Sequence, residues 1–406
     1  PIAALRALNT RWLSDPVPGM PPFSGGLVGH IGWDAVRYLE TLPHTAGAES
    51  ALPTLFLTMV KDFVAIDHHT SEVVLVALVH SSDGAVSADY DEAVGRLDSL
   101  HQRLAEPTPS TLHRRAEIGD VLARPDVDKA EFLDMVAAAK RHIVDGDVFQ
   151  VVLSQQFTEK VTASALEVYR VLRQVNPSPY MYLLECEDAE GGAYQVVGSS
   201  PEALVTISHG TVVSHPIAGS RPRGTSASED AELAASLLND AKEKSEHLML
   251  VDLSRNDLSK VSKPGSVEVT EFMQVERFSH IMHLVSTVRG ELRDDASSVD
   301  VFCATFPAGT LSGAPKPRAL QIIDNLESTG RGVYGGVVGY FGHNGDSDLA
   351  ITIRTLWMSD GTAVVRAGAG IVAESDPETE YAETLHKAGA PIRAIRLANA
   401  LESGHA

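Results

Sequence analysis

The chain has 406 residues, 44% hydrophobic and 21% charged, with a formal net charge of −21. This is the make-up of a soluble globular protein with ample core, in one large domain or two ordinary ones. It excludes nonspecific nucleic-acid binding, since nothing offsets phosphate repulsion. It also excludes a membrane span, since no run nears the roughly 18 apolar residues one needs.

Cys186 and Cys303 make neither a disulfide framework nor a Cys/His cluster, and no signal-peptide pattern opens the chain, so a cytoplasmic protein is expected. Pro1 stands where Met would begin a chain, and an N-terminal piece is expected before it.

In chain order, Phe23–Trp33 reads as a glycine-punctuated strand, Val73–His80 as a β-branched strand and Asp89–Leu104 as an amphipathic helix. Glu106–Ser110 is turn-forming and reads as a linker, giving an N-terminal portion, 1–110, and a region 111–406, as one continuous fold. A helix is expected from Asp128, with Glu131 as capping-box partner, to Asp145-Gly146. Strands follow at 148–157, 179–186, 193–199, 203–207, 211–217, 265–272, 280–289, 333–341, 348–357 and 362–372. Helices are expected at 163–174, 228–255, 298–304, 314–326 and 378–395. Runs of strands interrupted by helices favour α+β over regular βαβ alternation. Phe23–Trp33 and Val333–His343 echo each other, which reads as similar bent strands in two stacked sheets.

Two pairs with identical spacing, Glu243/Glu246 and Glu380/Glu383, lie in stretches of helical character. Residues three apart share a helix face, so each pair can aim two carboxylates at one point. Converging helices would surround that point with four acids, which calls for a cation. Oxygen-only ligands suit a hard ion such as Mg²⁺; the alternative is a pair of solvated helix faces. Arg354, in an apolar run, is either an edge ion pair or aimed at a buried anion. His283 is either a satisfied core histidine or functional. Pro216–Gly224 reads as a strand end opening into a mobile, cationic loop. Gly309–Lys316 does not meet the spacing of a phosphate loop, so a nucleotide site is rejected.

Glu246-His-Leu-Met-Leu-Val-Asp-Leu253, Phe306–Lys316, Tyr334-Gly-Gly336, Ala367–Val372 and Glu380-x-x-Glu-Thr384 together resemble the chorismate-utilising enzymes, most closely the large synthase component of anthranilate synthase. The resemblance covers most of 120–398 and, more weakly, 20–105. It implies two large β-sheets stacked face to face, helices outside, and the site in the cleft between them. By position, Glu246 and Glu383 resemble direct Mg²⁺ ligands, and Glu243 and Glu380 the outer pair that holds metal-bound water. Glu202 resembles the general acid that protonates the departing C4 hydroxyl, its pKa raised by a crowded acidic pocket. Arg354, Tyr334 and Gly368 resemble the grip on the enolpyruvyl carboxylate. Thr310, His283 and Lys387 line the same cavity in relatives, with His283 influencing pyruvate elimination.

Relatives that add water at C2 carry a Lys where this chain has Gln150, and those that form 4-amino-4-deoxychorismate carry one where it has Ala218. With neither lysine, the resemblance implies ammonia as the nucleophile, delivered by a glutamine amidotransferase subunit, and anthranilate and pyruvate as products in tryptophan biosynthesis. Ser220 replaces a family Thr and Ser254 a family Gly; neither change should abolish chemistry. Asn176, Pro179, Tyr180 and Met181 match half of a tryptophan feedback pocket, whose other half, an L-L-E-S segment, is not in this sequence. Two alternatives stay open. One is a synthase that stops at 2-amino-2-deoxyisochorismate. The other is a non-catalytic tryptophan-sensing or scaffold protein, for which the glutamates, Glu202 and Arg354 have no evident use.

Overall fold

A computed structural model describes residues 1–43, 52–79, 86–107, 113–114, 123–277 and 281–403. Among these, a nine-stranded and a six-stranded antiparallel sheet carry the architecture. The larger sheet holds Gly26–Ile31, Leu55–Val60, Ala203–Ser208, Thr211–Ser214, Ile217–Pro222, Glu268–Arg277, Ile281–Glu291, Val337–Gly342 and Ser347–Ile351. The smaller holds Gln150–Lys160, Tyr180–Glu187, Ala193–Ser200, Gly313–Ala314, Thr355–Ser359 and Thr362–Ile371.

Side chains two apart share a sheet face. Val205 and Ile207, Val337 and Phe341, and Leu349 and Ile351 therefore point together, into one core with Val151 and Leu153 of the smaller sheet. The smaller sheet's other apolar residues, among them Phe157, Val197 and Leu356, pack under helices Ala165–Val175 and Pro377–Asn399 through Leu172, Ala388, Ile392 and Ile395. This is the α+β arrangement of large sheets with outer helices that the sequence led us to expect.

Several local expectations are corrected. The two glycine-rich echoes do not lie in separate sheets. They pair with each other, Gly26 opposite Gly342 and Gly29 opposite Gly339. A Cβ on Gly29 would stand 1.9 Å from the Phe56 carbonyl oxygen, so close backbone approach accounts for that glycine. The helix expected at 228–255 is two, Ala227–Asn239 and Ala241–Ser259. Asp240 sits between them and accepts from the amides of Lys242 and Glu243, starting the second helix. Asp128 precedes its helix but makes no side-chain cap, so the expected capping box is absent there. The linker at 106–110 lies mostly outside the described residues.

The strand expected at 348–357 is also two. Ser347–Ile351 belongs to the nine-stranded sheet and Thr355–Ser359 to the six-stranded one. Arg354 lies at the crossing, not within a strand, with φ of 50°. A second crossing runs beside it, from Ala193–Ser200 through Glu202 to Ala203–Ser208. The crossings are laced together: the Ile351 amide donates to the Glu202 carbonyl (2.9 Å) and the Ser199 amide to that of Arg354 (3.3 Å). Glu202 and Arg354 are thereby set side by side where the chain twice passes between the sheets.

Candidate active site

The side chains of these two crossings are complementary. Arg354 is half-buried, and among the described residues its guanidinium forms no ion pair within 4.0 Å. Burial lowers its pKa and the nearby Glu202 carboxylate opposes that; a guanidinium stays charged regardless. A left-handed conformation at a non-glycine residue costs on the order of 1–3 kcal/mol, and here it coincides with a cation that has no ion-pair partner among the described residues.

Glu202 accepts a hydrogen bond from the Thr310 hydroxyl at 3.0 Å, from the turn Gly309–Leu311. Its pKa is pushed up to about 7 by burial, against the pull of Thr310, Lys387 and Arg354. The expected direction holds, but the cause differs: desolvation raises it, not a crowd of acids. Glu202 and Thr310 border a cavity of about 40 Å³, lined also by His215, Ser254 and Asp257. None of the four paired glutamates borders it, and the Ser254 departure falls there.

His283, on Ile281–Glu291, lies opposite Ser220 in register. Its Nδ1 donates to the Gly219 carbonyl at 3.0 Å. A carbonyl only accepts, so the proton sits on Nδ1 and Nε2 is the basic nitrogen. Burial lowers the His283 pKa, Arg354 adds to this, and the Gly219 bond opposes it. Ala218 and Ser220 flank a bulge at Gly219, whose φ is 70°; a Cβ there would meet the Glu243 carboxylate at 2.9 Å.

The glutamate pairs lie on helices Ala241–Ser259 and Pro377–Asn399, as their spacing led us to expect. Glu246 is raised by burial and by the charges of Glu243 and Glu383; a bond from Gln150 opposes this. Glu380 is raised by burial and by Glu383, against a bond from Ser375. The two helices thus bring their acids within electrostatic reach of one another. They do not form a closed ligand shell: among the described residues no three His, Cys, Asp or Glu side chains are placed to hold one ion. Three of the four carboxylates have another partner, a cation or an amide. Gln150 Nε2 donates to Glu246 at 3.2 Å, Lys387 pairs with Glu383 at 2.6 Å, and Arg221 with Glu243 at 3.5 Å. The donors are all oxygen and mutually repulsive, and the buried side-chain oxygen of Gln150 has no hydrogen-bond partner among the described residues. Such a set fits a hard dication better than it fits no cation.

Tyr334 precedes strand Val337–Gly342, and a Cβ on Gly368 would stand 2.7 Å from its hydroxyl. Lys387 also donates to the Gly368 carbonyl at 3.0 Å, joining this wall to Glu383. The loop expected to be cationic is not: Arg221 pairs with Asp240 and Arg223 with Asp230, both at 2.7 Å. Lys316 is occupied by Asp257 and the Thr305 carbonyl, consistent with rejecting a phosphate site.

Asn176, Pro179, Tyr180 and Met181 lie at the outer edge of the six-stranded sheet. Tyr180 and Met181 pair with Ser200 and Ser199, and the Tyr180 side chain lies near Asp348. Sequence reasoning missed one buried group beside Tyr334, the carboxylate of Glu327 between Arg331 and Arg366. An arginine inside the apolar run Ala363–Ala369 was the available signal.

The model of the chorismate binding enzyme family matches residues 3–393. The chain is 49% identical to anthranilate synthase component 1 of Arthrobacter globiformis over 99% of this chain and 77% of that protein. It is similar to the crystal structure of anthranilate synthase component I from Streptococcus pneumoniae (TM-score 0.84, 37% identity, 96% of this chain and 85% of that one). A putative 2,3-dihydroxybenzoate-specific isochorismate synthase from Bacillus anthracis has TM-score 0.62 and 28% identity over 76% of this chain and 89% of its own. No helix among the described residues is long and apolar enough to cross a membrane.

Proposed function

The chain belongs to the chorismate binding enzyme family, and we propose that it converts chorismate and ammonia to anthranilate, pyruvate and water in tryptophan biosynthesis. The observation that carries this reading is the pair at the crossings. A carboxyl whose pKa burial raises to about 7 stands beside a guanidinium that forms no ion pair among the described residues, which suits an anionic substrate with a poor leaving group.

In this reading Arg354, the Tyr334 hydroxyl and the Gly368 backbone hold the enolpyruvyl carboxylate. Glu202 gives its proton to the C4 hydroxyl, which leaves as water while ammonia bonds to C2. Binding the substrate's negative charge at Arg354 weakens the pull that lowers the Glu202 pKa, so Glu202 is more fully protonated in the complex. Ammonia needs no base to become nucleophilic, and neither Gln150 nor Ala218 supplies one. Pyruvate then departs: the C3–O bond breaks, the ring loses its C2 proton and aromatises, and the enolpyruvyl methylene gains a proton, a transfer that His283 with its basic Nε2 would influence. Mg²⁺, held by Glu243, Glu246, Glu380 and Glu383, would neutralise the ring carboxylate and fix its orientation. Lys387 would release Glu383 and keep its bond to Gly368.

The ammonia would come from a glutamine amidotransferase subunit. Ammonium salts should therefore sustain turnover by the isolated chain while glutamine does not. Turnover of chorismate by the isolated chain with glutamine alone would contradict the reading. Products resolved by chromatography would separate anthranilate from an amino intermediate.

A further inference from the structure

Glu327, Arg331 and Arg366 are 5%, 4% and 5% exposed, three buried charges in contact behind the Tyr334–Gly368 wall. Stability alone gives little reason for this, because apolar side chains of similar volume often serve as well in a core. The bonds are specific. Glu327 takes a forked pair from Arg331, at 2.8 and 2.7 Å, and a third bond from Arg366 at 3.1 Å. It also accepts from the Ser154 amide and hydroxyl at 2.8 and 2.9 Å. Every one of these is charge-assisted, the stronger class of hydrogen bond.

From this centre the bonds run to each wall of the proposed substrate pocket. Arg331 donates to the Leu311 carbonyl at 2.8 Å, next to Thr310, which holds Glu202. It donates equally to Val152 (2.8 Å) on the strand where Ser154 lies opposite Gly368. Its guanidinium stacks 4.1 Å above Trp33 and lies 5.7 Å from the Tyr334 ring. Arg366, two residues before Gly368, donates to the Gly330 carbonyl at 2.8 Å and the Thr329 hydroxyl at 3.0 Å, so the segment leading to Tyr334 is tied to the Gly368 strand. One carboxylate against two guanidiniums also leaves a net positive charge behind the wall.

We propose that Arg331, through Glu327 and Arg366, is a positioning residue that holds the Tyr334–Gly368 carboxylate grip and the Thr310–Glu202 hydrogen bond in register with each other. It touches no reacting atom. The inference rests on the chorismate reading above, because it is the substrate's enolpyruvyl carboxylate that the positioned wall would receive.

The test is Arg331→Lys, which keeps the charge but cannot make the forked bond to Glu327 and both carbonyl bonds at once. The control is Arg37→Lys, which disturbs another partly buried ion pair, with Asp324, on the helix that leads to Glu327. Both variants should lose some melting temperature. Only Arg331→Lys should lower kcat/KM for chorismate, by tenfold or more. Only it should also move the basic limb of the pH profile to higher pH. Glu202 is faced by Thr310, Lys387 and Arg354, and losing the Thr310 bond removes a group that favours its ionised form. A structural role alone would lower melting temperature without moving that limb. Wild-type turnover with an unaltered kcat/KM and limb in Arg331→Lys overturns the positioning role. A wild type that does not consume chorismate overturns the functional reading, and this inference with it.

Discussion

Glu202→Gln should bind chorismate nearly as well as the wild type and convert it about 10²–10⁴-fold more slowly, the range a general acid contributes. The amide keeps the volume and can still meet Thr310, so the crossing should fold, but it has no proton to give to the C4 hydroxyl. The wild-type pH profile carries the complementary signature. A general acid must be protonated, and Glu202 is raised to about 7 in the free protein. Its contribution to kcat/KM, with ammonia counted as the free base, is therefore full below about 7 and falls as pH rises through it. In kcat the limb should lie higher, because bound carboxylate offsets Arg354. Glu202→Gln should have no such limb in its residual rate. Wild-type turnover by Glu202→Gln, or the same limb in both proteins, would remove Glu202 from the role. Calorimetric titration with chorismate separates lost chemistry from lost binding.

Glu383→Gln should raise the Mg²⁺ concentration needed for half-maximal turnover by at least about 10–100-fold, the cost of disturbing even an outer partner of a metal site. The charge of Glu383 acts on glutamates of both helices, Glu246 and Glu380. Removing it relaxes their repulsion and takes away one donor. Stability should barely change, since the Lys387–Glu383 pair is 45% and 43% exposed and such pairs contribute about 0–1 kcal/mol. A folded variant with an unshifted Mg²⁺ requirement would exclude Glu383 as a ligand.

What was legible in the sequence divides along physical lines. The glutamate pairs were readable because i,i+3 spacing survives wherever the helix goes; both do lie on helices. The break at Asp240 was missed because helix formers flank it on both sides and no glycine or proline marks it, although Asn239-Asp240 followed by Glu243 carried a cap signal. The crossing at Arg354 was missed for a related reason. No glycine or proline marks it, and tertiary contacts hold a non-glycine residue left-handed there. The anion-binding role of Arg354 came only with the family resemblance, since its apolar flanks left an edge ion pair and a buried anion both open. The same reasoning applied to Arg366 would have led to the buried centre around Glu327, whose i,i+4 spacing to Arg331 looks like an ordinary surface pair. The paired state of Arg221 and Arg223 was not readable, because Asp230 on one helix and Asp240 at the start of the next meet them only through helix docking that no local pattern encodes.

The most direct test of the account is the fluorescence of anthranilate formed by the purified chain from chorismate, Mg²⁺ and ammonium at mildly alkaline pH. The account predicts a rising signal that EDTA abolishes and added Mg²⁺ restores. Chorismate consumed without fluorescence, or a signal indifferent to EDTA, would contradict it.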